Sequence, residues 1–342
     1  MIVSRLRIRT DAQVNPWLKV NRLSTSVLLK SQLRSRFIST SLASIKNQTL
    51  HPLGAAVDLS FERFGNPSKV NPPMIILHGL FGSKQNWRSI AKRFAEVLST
   101  EVYTLDLRNH GESPSQVGSN LYLEYAGDVQ NFVDQRGFKS VNIIGHSLGG
   151  KVAMIFSILN HLNQLSNPDT SKKFTIPRLI VVDISPAKLP LPSSFESYVK
   201  AMKAINAEKV SSRSQADEIL SKYESDPGIR AFLLTNLISD PTTKLKKIRL
   251  PLEIIESQMN NGQVTDFPFS VKTDEDLKIL EDFDIKALFI KGIKSNYINP
   301  QTEVEIKKFF KNSKVVDVDA GHWVQADKPI EFMELVSNFI KK

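Results

Sequence analysis

The stretch Val141-Asn142-Ile143-Ile144-Gly145-His146-Ser147-Leu148-Gly149-Gly150 joins an apolar, strand-like run to a segment with helical spacing. Between them stands the pattern G-x-S-x-G, a nucleophile elbow, in which a sharp strand-to-helix turn lifts a serine above the end of a sheet. The turn is so tight that a side chain at Gly145 or Gly149 would strike the neighbouring strand or helix. Small residues there let the serine hold a strained backbone. The flanking strand and helix patterns give the short motif its weight and mark Ser147 as the candidate nucleophile.

A serine hydroxyl needs a base to take its proton and a third group to orient that base. Six histidines are available. His51 precedes the patterned region, His78 lies in a His-Gly turn after a strand, and His110 falls in the loop after the next strand. His146 adjoins the serine but points elsewhere, and His161 lies late in a helix. His322 is left as the candidate base, in Ala320-Gly321-His322-Trp323 just after the last strand-like run, Val315-Val316-Asp317-Val318.

The acid is less routine. The penultimate apolar run, Ala287-Leu288-Phe289-Ile290, is followed by Gly292-Ile293-Lys294-Ser295-Asn296-Tyr297, which holds no carboxylate. Asp282 and Asp284 precede that run and fall at the wrong end of a strand. Asp183 ends Arg178-Leu179-Ile180-Val181-Val182, the run after the elbow helix, so a neighbouring strand delivers it to the same crevice. Asp183 is expected to orient His322. The alternatives are Asn296 in that role, or Asp183 as a cap on the following Ile184-Ser185-Pro186 turn.

A tetrahedral intermediate needs two backbone N–H donors. Leu148, at the N-terminus of the elbow helix, supplies one. The other is expected from His78-Gly79-Leu80-Phe81-Gly82, where Leu80 and Phe81 are equally placed.

With 342 residues and 41% apolar content, the chain suits one large α/β domain with an insertion, or two domains. It has no cysteine, which excludes disulfides, thiolate catalysis and cysteine-ligated metal. No metal or redox cofactor is implied. No run approaches the roughly 18 apolar residues of a membrane span, so no transmembrane helix is expected.

The net charge of +10 looks like a nucleic-acid signal until it is located. Residues 1–44 hold eight basic side chains and one acid, so they carry seven of those ten charges. An Arg-rich, Ser-rich, acid-poor start reads as a mitochondrial transit peptide rather than a nucleic-acid or membrane arm. The expected location is mitochondrial, in the matrix, with the import and processing machinery as partners and no nucleic acid. Phe37 to Ser44 is similar to the octapeptides removed in a second processing step, which puts a mature start near Ile45.

From about residue 56 strands and helices alternate, which argues for a mostly parallel sheet with helices on both faces. The expected organisation is a transit peptide over 1–44, a first core part over 56–183, a helical cap over 184–285, and a second core part over 286–342. Strand patterning stops for about a hundred residues after Asp183. The basic run Lys244-Leu245-Lys246-Lys247-Ile248-Arg249 reads as a solvated face, with phosphate recognition on a coenzyme A donor as the sharper alternative. Tyr198, Phe232 and Leu233 read as cap core rather than substrate contacts.

Four blocks now fall in order: His78-Gly79-Leu80-Phe81-Gly82-Ser83, Asp106-Leu107-Arg108-Asn109-His110-Gly111-Glu112-Ser113, Gly145 to Lys151, and Val182-Asp183-Ile184-Ser185-Pro186. Over about residues 56–340 the chain resembles the α/β-hydrolase subfamily that joins small bacterial esterases to mitochondrial abhydrolase-domain proteins and fungal mitochondrial alcohol acetyltransferases. The resemblance implies the α/β-hydrolase fold with an inserted helical cap. It also implies a triad acid after the strand that follows the elbow helix, which supports Asp183.

All enzymatic readings share one half-reaction, in which His322 deprotonates Ser147 and the serine attacks an ester or thioester carbonyl. Water then gives a carboxylesterase or thioesterase, and an alcohol gives an acyltransferase. The resemblance favours an alcohol acetyltransferase with acetyl-CoA as co-substrate and esterase or thioesterase side activity. Haloalkane dehalogenase and epoxide hydrolase chemistry is excluded, because both need a carboxylate where Ser147 stands. A non-catalytic ligand- or partner-binding protein of the same fold is the alternative from another class.

Overall fold

A computed structural model describes residues 40–46, 56–118, 120–166 and 174–342. The expected presequence up to residue 39, His51, and the polar run 167–173 lie outside the described residues.

Thr40–Ser41 (β1) leads into a short helix, Leu42–Lys46 (α1). The chain continues through Phe61–Phe64 (β2), Met74–Leu77 (β3), Arg88–Leu98 (α2), Val102–Leu105 (β4) and Leu121–Gln135 (α3). Asn142–His146 (β5), Leu148–Ser166 (α4) and Arg178–Val182 (β6) follow. Next come Ser194–Glu208 (α5), Arg213–Ser221 (α6), Pro227–Leu233 (α7), Leu237–Ser239 (β7), Lys246–Ile248 (β8), Leu252–Asn260 (α8), Phe269–Ser270 (β9) and Asp274–Glu281 (α9). The chain closes with Lys286–Gly292 (β10), Pro300–Phe309 (α10), Ser313–Val318 (β11), Val324–Asp327 (α11) and Pro329–Lys341 (α12).

Seven strands form the main sheet in the order β11-β10-β6-β5-β3-β4-β2. All pairs are parallel except β2 with β4 at the edge. The central strands are apolar at successive positions because helices cover both faces. Alternation then sorts their side chains into two layers. Met74, Ile76, Ile144, Ile180, Val182, Leu288 and Ile290 pack with Phe94 of α2 and Phe332 of α12. Ile75, Leu77, Ile143, Leu179, Val181 and Phe289 pack with Val129 and Phe132 of α3 and Val152 and Ile155 of α4. Each such fully buried side chain contributes roughly 2 kcal/mol. This is the mostly parallel α/β-hydrolase sheet, with an inserted helical region between β6 and β10.

That inserted region corrects one expectation, because it is not free of strands. β7 and β8 form an antiparallel pair, and β9 pairs in parallel with β1. Strands of two or three residues are too short for an alternating pattern to register.

β1 and α1 dock on this body. Ser41 Oγ and the Ala43 N–H donate to Asp276 Oδ1 at 2.6 and 3.0 Å, while the N–H groups of Lys272 and Thr273 donate to its Oδ2. Burial would push the Asp276 carboxyl up, yet these bonds hold it well below the usual carboxylate range. Leu42 is fully buried. The boundary expected at residue 44 therefore falls inside a docked segment. Among the described residues, no helix is long and apolar enough to cross a membrane.

Candidate active site

Ser147 sits between β5 and α4 with φ +53°, the left-handed conformation of an elbow. A Cβ on Gly145 would come within 2.2 Å of the Gly149 carbonyl oxygen, and one on Gly149 within 2.5 Å of the His78 carbonyl oxygen. Both glycines are thus required by close backbone approach. The Ser147 N–H donates to the Val182 carbonyl at 3.0 Å, tying the elbow to β6.

From that turn Ser147 Oγ donates to His322 Nε2 at 2.9 Å, and His322 Nδ1 donates to Asp183 Oδ2 at 2.8 Å. Asp183 is fully buried at the end of β6, and its N–H donates to the Ile290 carbonyl at 2.9 Å. Its other carboxylate oxygen accepts the Gly292 N–H at 3.0 Å. The end of β10 therefore supplies a donor to the acid rather than the acid itself. A Cβ on Gly292 would come within 2.2 Å of the Gly321 carbonyl oxygen, so this approach admits only glycine. Asn296 is exposed, its main-chain carbonyl accepts from Asn299 Nδ2, and the partner of His322 Nδ1 is Asp183 instead. Asp282 caps the C-terminus of α9, and Asp284 accepts from Asn312 Nδ2 ahead of β10, at the opposite end from the serine.

The remaining described histidines have other tasks. His146 Nε2 donates to the main-chain carbonyl of His322 at 2.8 Å, and the two rings lie 4.8 Å apart. The Tyr297 ring packs 4.3 Å from the His322 ring on another side. His146 was expected to point away from Ser147 and does, but its hold on His322 leaves no mark in the sequence. His78 Nδ1 donates to the Gly79 carbonyl and His78 Nε2 accepts the Leu107 N–H, at 2.8 and 3.0 Å. His110 Nδ1 donates to the Arg108 carbonyl, and its Nε2 accepts the Phe81 N–H at 3.3 Å. Burial pushes His78 below its ordinary value, and burial together with a neighbouring histidine pushes His110 and His146 to about 3. These three rings are neutral braces near pH 7. His161 Nε2 bonds to the Ile279 carbonyl.

The bond from the Phe81 N–H to His110 separates the two oxyanion candidates. Phe81 is committed elsewhere, which leaves Leu80 beside Leu148 for the developing charge. Asn236, buried just before β7, braces the same loop by donating from Nδ2 to the Phe81 carbonyl at 2.7 Å. Sequence reading missed it because a contact between residues 155 positions apart carries no local signal.

Two small cavities flank Ser147. One, of about 10 Å³, is lined by His146, His322, Phe81, Phe195, Tyr198, Phe232 and Trp323. The other, of about 30 Å³, runs between Tyr122, Lys151, Leu189, Leu191, Val264 and Tyr297. A leaving group must receive its proton from His322 Nε2. His322 lines the aromatic cavity and does not line the second. Tyr198 and Leu233 are buried in the core and Phe232 packs against it, as expected, and Tyr198 and Phe232 also line the aromatic cavity. The basic run turns onto its own hairpin: Lys246 Nζ donates to Ser239 Oγ, and Lys247 pairs with Asp240 at 3.1 Å.

A serine, an imidazole and a carboxylate linked in series above the C-terminal edge of a parallel sheet define an acyl-transfer centre of the hydrolase type. The chain belongs to the α/β-hydrolase fold family, whose pattern its residues 72–166 match. It is 33% identical to the sn-1-specific diacylglycerol lipase ABHD11 of Mus musculus, over 95% of this chain and 99% of that one. It is likewise 33% identical to a probable alcohol acetyltransferase of Saccharomyces cerevisiae, over 88% and 87% of the two chains. Among solved structures, a marine microorganism esterase is 32% identical with a TM-score of 0.70, covering 83% of this chain and all of its own. The protein is thus a hydrolase or acyltransferase of this fold.

Proposed function

We propose that the protein transfers an acetyl group from acetyl-CoA to an alcohol through an acyl-enzyme at Ser147. The observation that carries this reading is the environment His322 faces. The acceptor of the second half-reaction must give its proton to His322 Nε2, and the cavity there is walled by Phe81, Phe195, Tyr198, Phe232 and Trp323. Aromatic walls offer an organic alcohol apolar contact that water does not use, and at about 10 Å³ the cavity must widen for one to enter. In this reading the leaving group departs through the aromatic cavity and the acyl group takes the second, the acyl-side cavity, whose volume of about 30 Å³ suits a two-carbon acyl group better than a fatty one. The similarity to the Saccharomyces cerevisiae alcohol acetyltransferase supports the same reading.

In this mechanism Ser147 Oγ attacks the thioester carbonyl as His322 takes its proton, and Asp183 holds the imidazole through Nδ1. The N–H groups of Leu80 and Leu148 receive the oxyanion. The imidazolium then protonates the departing thiolate, and the alcohol enters the same aromatic cavity to release the ester. The chain needs no metal for these steps. Residues 1–44 would direct it to mitochondria.

Hydrolysis is the second reading, favoured by similarity to the marine esterase and to the Mus musculus lipase. Purified protein supplied with acetyl-CoA, with and without ethanol or a longer alcohol, separates the two. Ester accumulating with the alcohol present supports transfer. Free acetate at a rate indifferent to alcohol makes the protein a hydrolase.

A further inference from the structure

Lys151 stands one turn beyond Ser147 on the elbow helix, its N–H donating to the Ser147 carbonyl at 3.1 Å. The side chain is 2% exposed. Its Nζ donates to two successive main-chain carbonyls, Thr265 at 2.8 Å and Asp266 at 2.7 Å. The residue before them is held as well, for Tyr122 Oη donates to the Val264 carbonyl at 2.6 Å. The Leu189 N–H adds a bond to the Thr265 carbonyl at 3.1 Å. Lys151 Nζ also lies 5.4 Å from the centre of the Tyr122 ring.

Three consecutive carbonyls of one loop are therefore fixed by side chains of the core, and this loop contributes Val264 and Thr265 to the acyl-side cavity. A buried ammonium is costly, since desolvation disfavours its charge. Burial pushes the Lys151 amine down to about 7, against the pull of the Asp266 carboxylate. A methionine or leucine would fill the same space without that cost. What the amine adds is a fixed position for two carbonyls at once, and hence for the side chains between them.

We infer that Lys151, with Tyr122, is a specificity-determining residue: by pinning the 264–266 loop as the end wall of the acyl cavity, it limits the length of the acyl group that Ser147 can carry. This deepens the proposed function and rests on the acyl-serine half of it, while holding equally for water or alcohol as acceptor. The class of substrate it implies is short-chain acyl thioesters and esters. Lys151 does not touch the reacting atoms in this role; it acts through the wall.

The test compares p-nitrophenyl acetate, butyrate, hexanoate and octanoate as substrates of wild type, Lys151→Met, Tyr122→Phe and Val264→Ala, with fluorophosphonate labelling of Ser147 run on each. Wild type should lose kcat/KM steeply beyond butyrate. In each variant the hexanoate-to-acetate ratio should rise by about tenfold or more, the scale on which an apolar pocket discriminates one methylene. Labelling should stay close to wild type. A merely structural role would lower all four rates together and leave the ratio unmoved. An unchanged ratio in variants that still label overturns the inference. If Lys151→Met does not fold, Tyr122→Phe and Val264→Ala decide it on the same criterion. A wild type whose Ser147 does not label refutes the acyl-serine reading itself, a result distinct from an unmoved ratio.

Discussion

His146 Nε2 donates to the main-chain carbonyl of His322, so the residue beside the nucleophile holds the backbone that presents the base. With the rings 4.8 Å apart, His146 also limits how far the His322 imidazole can swing away from Ser147. A misplacement of about 1 Å at such a site can cost about 100-fold in rate. His146→Leu should therefore lower kcat toward p-nitrophenyl acetate by up to about that factor, with KM nearly unchanged. His146→Gln keeps a donor within reach of the carbonyl and should recover most of the loss. Equal kcat values for the two variants would remove this role.

Asp183→Asn leaves the geometry but removes the charge and favours the wrong tautomer of His322. Turnover should fall about 10⁴-fold. Asp282→Asn and Asn296→Ala should stay near wild type, since His322 Nδ1 bonds to Asp183 and to neither of these. A large loss in either, with Asp183→Asn active, would reassign the acid.

Leu80→Pro removes the N–H assigned to the oxyanion and should lower kcat by about 100- to 1,000-fold. Asn236→Leu removes the brace on the Phe81 carbonyl and a longer bond to the Leu233 carbonyl but no oxyanion donor, so it should lower kcat by less while the protein remains folded. Full activity of Leu80→Pro, measured with p-nitrophenyl acetate, would return the donor to Phe81.

The buried histidines make stability depend on pH. Unfolded, each titrates near 6.5, whereas His110 and His146 are held near 3 and His78 is also lowered in the fold. Above 6.5 both states are neutral. Below it the unfolded chain takes up protons that the folded chain refuses, so stability present above 6.5 is lost progressively as pH falls toward 3. Thermal melts from pH 7.5 to 5 should show Tm falling, with a shallower slope in His146→Gln. A flat wild-type profile would contradict the burial of these rings.

Fusing residues 1–44 to a fluorescent protein tests the targeting reading by imaging. Mitochondrial accumulation is expected, and a cytosolic signal would refute it.

The elbow, the base and the acid were legible in the chain for different reasons. Gly145 and Gly149 leave a fixed spacing around Ser147, and His322 is what remains when every other histidine has a reason to be elsewhere. Asp183 was found through an absence, the lack of a carboxylate after Ile290. The structure adds why that absence is tolerated: Gly292 brings its own N–H to the same carboxylate. Long-range relations were not legible. Asn236 reaches Phe81 across 155 residues, and that Tyr198 and Phe232, besides joining the core, also edge a cavity is not visible in aromatic residues at helical spacing. The short strands β7, β8 and β9 are below the length at which periodicity can speak.

If the proposed presequence is trimmed, the docking of Thr40–Lys46 turns the place of the cut into a question of timing. The bond between Ser44 and Ile45 lies inside α1, next to a fully buried Leu42 and downstream of the two groups that Asp276 grips. Proteases cleave extended, accessible backbone, so such a bond opens to them only while the segment is undocked. A cut there competes with folding and would leave behind an uncovered apolar seat and a carboxylate short of two donors. A cut before Thr40 would keep Ser41, Leu42 and Ala43 with the folded body and leave these contacts whole.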